Sequence, residues 1–244
     1  LNYVLFVVIH GVQLRAIRDN YADKLIEGVR SNFPIEHRGY FVPLVYNWSG
    51  ITHERQLEMY RAVESGLPWY ARKPLRKLKH TVGSDVVWSG RAKEGTKCFY
   101  SQFLADLSQK LEEQVQRYRN PRIVFFGHSQ GSQNALCFIW DYGRIVSAFF
   151  SAGSPISMAS GMFDDWGRAP ANLQRWVNFW NPMDWISSPL GSHPSKEIRA
   201  LVNDARVPLG PNPLNWTTAG AHGIYWRSPF VHKRVAEEIK RLVG

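Results

Sequence analysis

Apolar and polar positions along this chain alternate between two regimes. Tyr3 to Ile9 and Ile123-Val124-Phe125-Phe126 are near-continuous apolar runs of strand length, the pattern of strands buried on both faces. Further strands are predicted at 40–46, 86–88, 146–151, 175–180 and near 200–208. Between them lie stretches of helical period. Phe99, Phe103, Leu107 and Leu111 recur in steps of four, while Asp106, Lys110, Glu112 and Glu113 fall on other faces, so a helix over about 97–118 lays one apolar stripe on the sheet. Val231, Val235, Ile239 and Leu242 do the same in a C-terminal helix from about 229 to 242, and further helices are expected around 15–31 and 132–141. Strands alternating with helices predict an α/β fold, with a mostly parallel central sheet covered on both faces.

The alternation is interrupted once, between about 47 and 80. The interruption is aromatic and basic: Trp48, Trp69 and Tyr70 accompany Arg72, Lys73, Arg76, Lys77 and Lys79. An insertion after an early strand hangs over the carboxyl end of such a sheet, so this segment is expected to form a cap or lid, with Trp48, Trp69 and Tyr70 as candidate substrate-binding residues. No internal repeat, low-complexity tract or Pro/Gly-rich linker divides the 244 residues, and residues 1–244 are expected to form one domain.

Chemistry is concentrated where the strands end. Gly127-His128-Ser129-Gln130-Gly131 follows the strand at 122–126 and precedes the helix, the strand-turn-helix setting of a nucleophile elbow. Such a bend exposes a serine hydroxyl and brings it near amide donors, and glycines on either side avoid collisions across the turn. A serine nucleophile needs a base, and the base needs an acid to hold its tautomer. Asp184, in Asn181-Pro182-Met183-Asp184 just past the strand at 175–180, is the candidate acid, with Asp164, Asp165 and Asp204 as rivals. His222, in the small and polar stretch Thr217 to Gly223, is the candidate base and is expected on a loop. His193 follows Asp184 too closely to leave room for another strand, and His232 falls inside the last helix. Two amide donors must receive a tetrahedral oxyanion: that of Gln130, after the nucleophile, and that of Val12, in the turn Ile9-His10-Gly11-Val12 after the first strand. His10 and His128 are expected to shape these turns rather than to move protons.

In this order, Ile9-His10-Gly11-Val12, Gly127-His128-Ser129-Gln130-Gly131, Gly153-Ser154-Pro155, Asn178 to Asp184 and Ala221-His222-Gly223-Ile224-Tyr225-Trp226 resemble the α/β-hydrolase superfamily, in particular its small lipase and esterase-like members. The resemblance covers most of the chain. It implies an α/β-hydrolase fold, a triad of Ser129, His222 and Asp184, and an oxyanion hole made by the amides of Val12 and Gln130. Glutamine after the serine is less usual than Leu, Met or Gly, but only its amide is required.

The expected activity is hydrolysis of a carboxylic ester through an acyl-enzyme, on an acyl lipid or similar small ester. A phospholipase or thioesterase would use the same machinery, and a non-catalytic hydrolase-like module binding a lipid or protein is the alternative from another class. A net charge of +10 suits an anionic membrane surface as partner. It also raises nucleic acid, but no nucleic-acid module is present and much of the charge sits in one segment, so nucleic acid is not expected. Histidines and carboxylates lack metal-ligand spacing and no phosphate loop occurs, so no cofactor or metal is expected. Cys98 and Cys137 are expected to be reduced and buried, a single disulfide between them remaining open. No apolar run approaches the ~20 residues of a membrane span. A cytoplasmic setting is the favoured expectation and secretion or delivery as an effector the alternative, since Leu1 is read as already inside a strand and a native leader would lie ahead of it. Oligomeric state and acyl-chain length are not written in the pattern.

Overall fold

The computed structural model describes residues 1–11, 22–47, 97–159 and 168–243. In chain order the elements are β1 (Val4–Ile9), α1 (Asp23–Ser31), β2 (Phe41–Tyr46), α2 (Lys97–Arg117), β3 (Arg122–His128), α3 (Gln130–Asp141), β4 (Ala148–Ala152) and α4 (Ile156–Ala159). They continue with β5 (Trp176–Trp180), α5 (Lys196–Leu201), β6 (Val202–Arg206), α6 (Thr218–Gly223) and α7 (Pro229–Val243). Short 3-10 helices occupy Ile35–Tyr40, Pro213–Trp216 and Ile224–Trp226.

The six strands form one sheet in the order β2-β1-β3-β4-β5-β6. Every pairing in it is parallel. Helices cover both faces, and the alternation of side chains along each strand sorts the core into two layers. Leu5, Val7, Ile9, Ile123, Phe125, Phe149 and Trp176 point to one face, where α2 contributes Phe103, Leu107 and Leu111 and α3 contributes Leu136 and Phe138. Val4, Phe6, Val8, Val124, Phe126, Phe150, Val177 and Phe179 point to the other, under Leu25, Ile26 and Val29 of α1 and Val231, Val235 and Ile239 of α7. This is the expected α/β-hydrolase type of architecture. It also explains why β1 reads as an unbroken apolar run: all six of its residues are buried, with a helix layer on either side.

The strand order sets the position of the site. From β1 the chain crosses to β2 on one side, whereas from β3 it crosses to β4 on the other. The carboxyl ends of β1 and β3 therefore flank a topological switch point, where an open crevice forms in sheets of this kind. Ile9 is paired with Gly127. Continuing each strand by one residue brings His10 beside His128, their ring centroids 5.5 Å apart.

Candidate active site

Ser129 stands alone between β3 and α3, with φ 56° and ψ −133°. A residue with a side chain is rarely held there, and the conformation costs on the order of 1–3 kcal/mol, which the surrounding packing must offset. The neighbouring hydrogen bonds and glycines do so. The Ser129 N–H donates to the Ala152 carbonyl over 2.9 Å, and the Ser132 N–H returns to the Ser129 carbonyl over 3.0 Å. A Cβ on Gly127 would stand 2.5 Å from Ser132 Cα, and one on Gly131 would stand 2.4 Å from the Ile9 carbonyl oxygen. A Cβ on Gly11 would stand 2.6 Å from Ser129 Cβ. The two glycines of the pentapeptide and the glycine after β1 thus serve one purpose, to let strand ends and helix start meet at the serine.

Gln130 is buried at the start of α3, where the first helical N–H groups have no intrahelical acceptor. Val12 lies outside the described residues, as do Trp48, Trp69, Tyr70, the rest of the basic segment, the strand expected at 86–88, and Asp164 and Asp165.

Past β5 the chain turns sharply. Asn181 builds the turn: its side-chain carbonyl accepts the Met183 N–H over 2.8 Å and its amide donates to the Val207 carbonyl over 2.5 Å. The Asp184 N–H donates to the Asn181 carbonyl over 3.0 Å, which aims the carboxyl inward, and Asp184 is fully buried. Its Oδ1 accepts the Ile186 N–H over 3.3 Å.

His222 meets this carboxylate. Its Nδ1 lies 3.0 Å from Asp184 Oδ2 and 3.1 Å from Oδ1. A carboxylate on this side fixes the proton on Nδ1 and leaves Nε2 as the basic nitrogen. The residue is not on a loop as the sequence suggests but on the short helix α6, started by the Thr217 hydroxyl, which accepts the Gly220 N–H over 3.1 Å. One turn of helix has no full apolar period to read, so small residues there look like loop.

Elbow and acid–histidine pair converge around Ala152-Gly153. Ala152 accepts from Ser129, and the next residue, Gly153, has φ +57°. A Cβ there would lie 3.1 Å from both Asp184 Oδ2 and His222 Nδ1 and 2.9 Å from Tyr225 Cε2.

Four other described histidines, His128, His10, His232 and His193, take structural places. His128 Nε2 donates to the His222 carbonyl over 2.7 Å, and burial above all, then the nearby His222 and His10, holds its imidazole well below the usual histidine range. His10 stacks on Trp226 with ring centroids 5.2 Å apart, and its Nδ1 donates to the Gly11 carbonyl over 2.7 Å. Desolvation lowers its pKa to about 4. His232 donates from Nε2 to the Trp226 carbonyl over 3.0 Å and packs on Gly28. His193 accepts the Ser195 N–H over 3.1 Å, and its carbonyl accepts from Arg199. Asp204, the rival acid, accepts from Asn178 Nδ2 and from the Leu190 and Gly191 amides, at 2.7, 3.0 and 2.6 Å. These are the bonds of a residue that ties β5, β6 and a connecting loop together.

The place of Tyr225 beside the acid is not legible from the order of motifs along the chain. Its hydroxyl donates to Asp184 Oδ2 over 2.9 Å and lies 3.0 Å from Ser187 Oγ, with the side chain fully buried. A buried phenol needs a partner, and that is the available signal; which partner depends on a contact spanning 41 residues.

No protein-family model matches the chain, and no curated protein sequence matches it significantly. Among solved structures, an acetylxylan esterase is 14% identical, with 98% of each chain covered and a TM-score of 0.45. A cutinase-like protein from Cryptococcus sp. is 12% identical, covering 100% of this chain and 95% of its own, with a TM-score of 0.43. Likenesses of this depth carry no information on chemistry.

Proposed function

We propose that this protein is a serine hydrolase that cleaves carboxylic esters through an acyl-enzyme. In this reading the Nε2 of His222 removes the Ser129 hydroxyl proton while Oγ attacks the ester carbonyl carbon. Asp184, accepting from Nδ1, stabilises the imidazolium that results. The carbonyl oxygen, now negative, is received by the amides of Gln130 and Val12. Collapse of the tetrahedral intermediate breaks the carbon–oxygen bond, and the imidazolium gives its proton to the departing alcohol. Water, deprotonated by His222, then attacks the acyl-serine, and a second collapse frees the acid and restores Ser129. The observation that carries the reading is the His222–Asp184 hydrogen bond at the same strand ends where Ser129 holds its strained conformation.

The substrate in this reading is an apolar ester such as an acyl lipid. Large apolar side chains stand exposed around the acid and the base: Met183 and Trp185 on either side of Asp184, and Leu214 and Trp216 in the 3-10 helix whose Leu214 carbonyl abuts Gly220 of α6. Exposed apolar side chains next to the acid and in the element that abuts α6 suit a hydrophobic ligand or lipid surface. The segment containing Trp48, Trp69 and Tyr70 would contribute further contacts, and the net charge of +10 would favour an anionic membrane as the surface that presents the ester. A phospholipid or thioester would enter the same chemistry.

The test is turnover of short p-nitrophenyl esters. Wild type is expected to hydrolyse them, and Ser129→Ala and His222→Ala to lose at least about a thousandfold in kcat while remaining folded. Equal activity in wild type and Ser129→Ala would remove the proposal.

A further inference from the structure

The carboxylate of Asp184 does not serve His222 alone. Its Oδ2 receives two donors, the His222 Nδ1–H at 3.0 Å and the Tyr225 hydroxyl at 2.9 Å. The phenol has a single proton, and directing it to Asp184 leaves the phenol oxygen to accept from Ser187 Oγ at 3.0 Å. The phenol proton is committed to Asp184 Oδ2, with the His222 Nδ1–H entering from the other side, while the single Ser187 proton has the phenol oxygen and the Asp184 and Asn181 carbonyls as acceptors within reach. Ser187 is anchored in turn, its Oγ accepting the Asn181 N–H over 3.2 Å.

We propose that Tyr225 is a positioning residue that sets both the orientation of the Asp184 carboxylate and the basicity of His222. This rests on the functional reading above and adds to it a fourth member with a defined task. The geometry supplies two reasons. First, among the described residues Asp184 Oδ1 has only the Ile186 amide, at 3.3 Å, beyond its histidine contact, so the phenol is the shorter of the carboxylate's two other restraints there. Second, a donor on Oδ2 draws off negative charge that would otherwise stabilise the His222 imidazolium, and so keeps the histidine readier to release its proton in the steps that need an acid. The phenol is suited to act as a permanent donor, because burial and the Asp184 charge raise its pKa far above the ordinary tyrosine value.

Gly153 is part of the same arrangement. It leaves open the space into which Tyr225 Cε2, Asp184 Oδ2 and His222 Nδ1 all project. Two further titratable groups adjoin this cluster: His128, whose ring centroid is 5.8 Å from that of Tyr225, and His10 behind it. Burial holds both neutral, so they leave the charge at this point to the Asp184–His222 pair.

The test is Tyr225→Phe, which keeps the ring and removes only the hydroxyl, with Ser187→Ala as a second variant that leaves the phenol in place. Two readouts are taken. The acid limb of the kcat/KM profile on a short p-nitrophenyl ester is expected to move upward by about 0.5 to 1 pH unit in Tyr225→Phe and less in Ser187→Ala, with kcat lowered about tenfold and KM unchanged. The pKa of the His222 imidazole, followed by NMR titration, is expected to rise in parallel. An unchanged His222 titration in folded Tyr225→Phe overturns the inference. Because that titration needs no turnover, it decides the role of Tyr225 even if wild type fails to hydrolyse esters, a failure that would count against the functional reading alone. Should Tyr225→Phe not fold, the same titration in Ser187→Ala decides, an unchanged His222 value again overturning the inference.

Discussion

His128 Nε2 donates to the backbone carbonyl of His222 over 2.7 Å, joining the residue before the elbow serine to the candidate base 94 positions later. The rings of the two histidines are also in contact, their centroids 4.7 Å apart. The helix that carries His222 has only six residues, so this bond to the last residue of β3, together with the bond to Asp184, ties the base to the sheet. Replacing His128 by Phe keeps a ring in the space and removes the donor. The part-buried carbonyl then loses this donor, at a cost of about 0.5–1.5 kcal/mol. Ester turnover is expected to fall about tenfold in kcat through misplacement of His222, with little change in KM. Steady-state kinetics and a thermal melt check both parts.

Gly153→Ala is expected to be more damaging than its size suggests. The residue has φ +57°, and a methyl group would press on Asp184, His222 and Tyr225 together. Backbone strain and crowding are expected to cost about 2 kcal/mol, roughly 4–8 °C in Tm, and activity is expected to fall further than the loss of folded protein explains. Activity per folded molecule, measured below the melting transition, separates the two effects.

The buried histidines make the protein sensitive to acid. The folded pKa of His10 is lowered from 6.5 to about 4 by burial, so the unfolded chain takes up a proton that the folded chain refuses between those values. The unfolded state then binds more protons, and stability falls as pH drops from 6.5 toward about 4, by on the order of 3 kcal/mol for this residue. His128, lowered chiefly by burial, and His232 and His193, lowered by partial burial, act with the same sign. Urea unfolding at pH 7.5 and pH 4.5 is expected to show a clearly lower midpoint at the acid pH.

The exposed apolar residues near the site allow soluble and aggregated substrates to be distinguished. Trp185 and Trp216 are 63% and 60% exposed, so exchange for Ser is expected to alter stability by no more than about 0.5 kcal/mol. Hydrolysis of a short soluble ester is expected to stay within about twofold of wild type, while hydrolysis of an acyl ester carried in anionic vesicles falls severalfold. Equal loss on both substrates would remove the proposed role of these side chains at a lipid surface.

How far the sequence exposes this structure depends on the length of each pattern. Long runs are read directly: β1 and β3 as unbroken apolar strands, α7 from Val231, Val235 and Ile239, and α2 from Phe103, Leu107 and Leu111, all of which are buried. Single-turn elements are not. α5 runs straight into β6, and its start is set by the Ser195 side chain, which accepts the Ile198 N–H, a local bond that leaves little periodic trace. Val146, expected in a strand, makes only an isolated bridge to Leu173, and the ladder begins at Ala148. At the site, order along the chain leads to Asp184 and His222 because each follows a recognisable strand or turn, and their side chains do meet. Tyr225, Gly153 and the task of His128 are contacts between distant residues. They follow from how the strand ends converge, which no local pattern encodes.

The central claim is that Ser129 is a nucleophile activated by His222, and a fluorophosphonate probe tests it most directly. Intact folded protein incubated with the probe and mapped by peptide mass spectrometry is expected to carry one adduct on Ser129, absent in Ser129→Ala and slowed at least about a thousandfold in His222→Ala. An adduct on another residue, no adduct on the folded wild type, or labelling of Ser129 at the same rate without His222 would contradict the account.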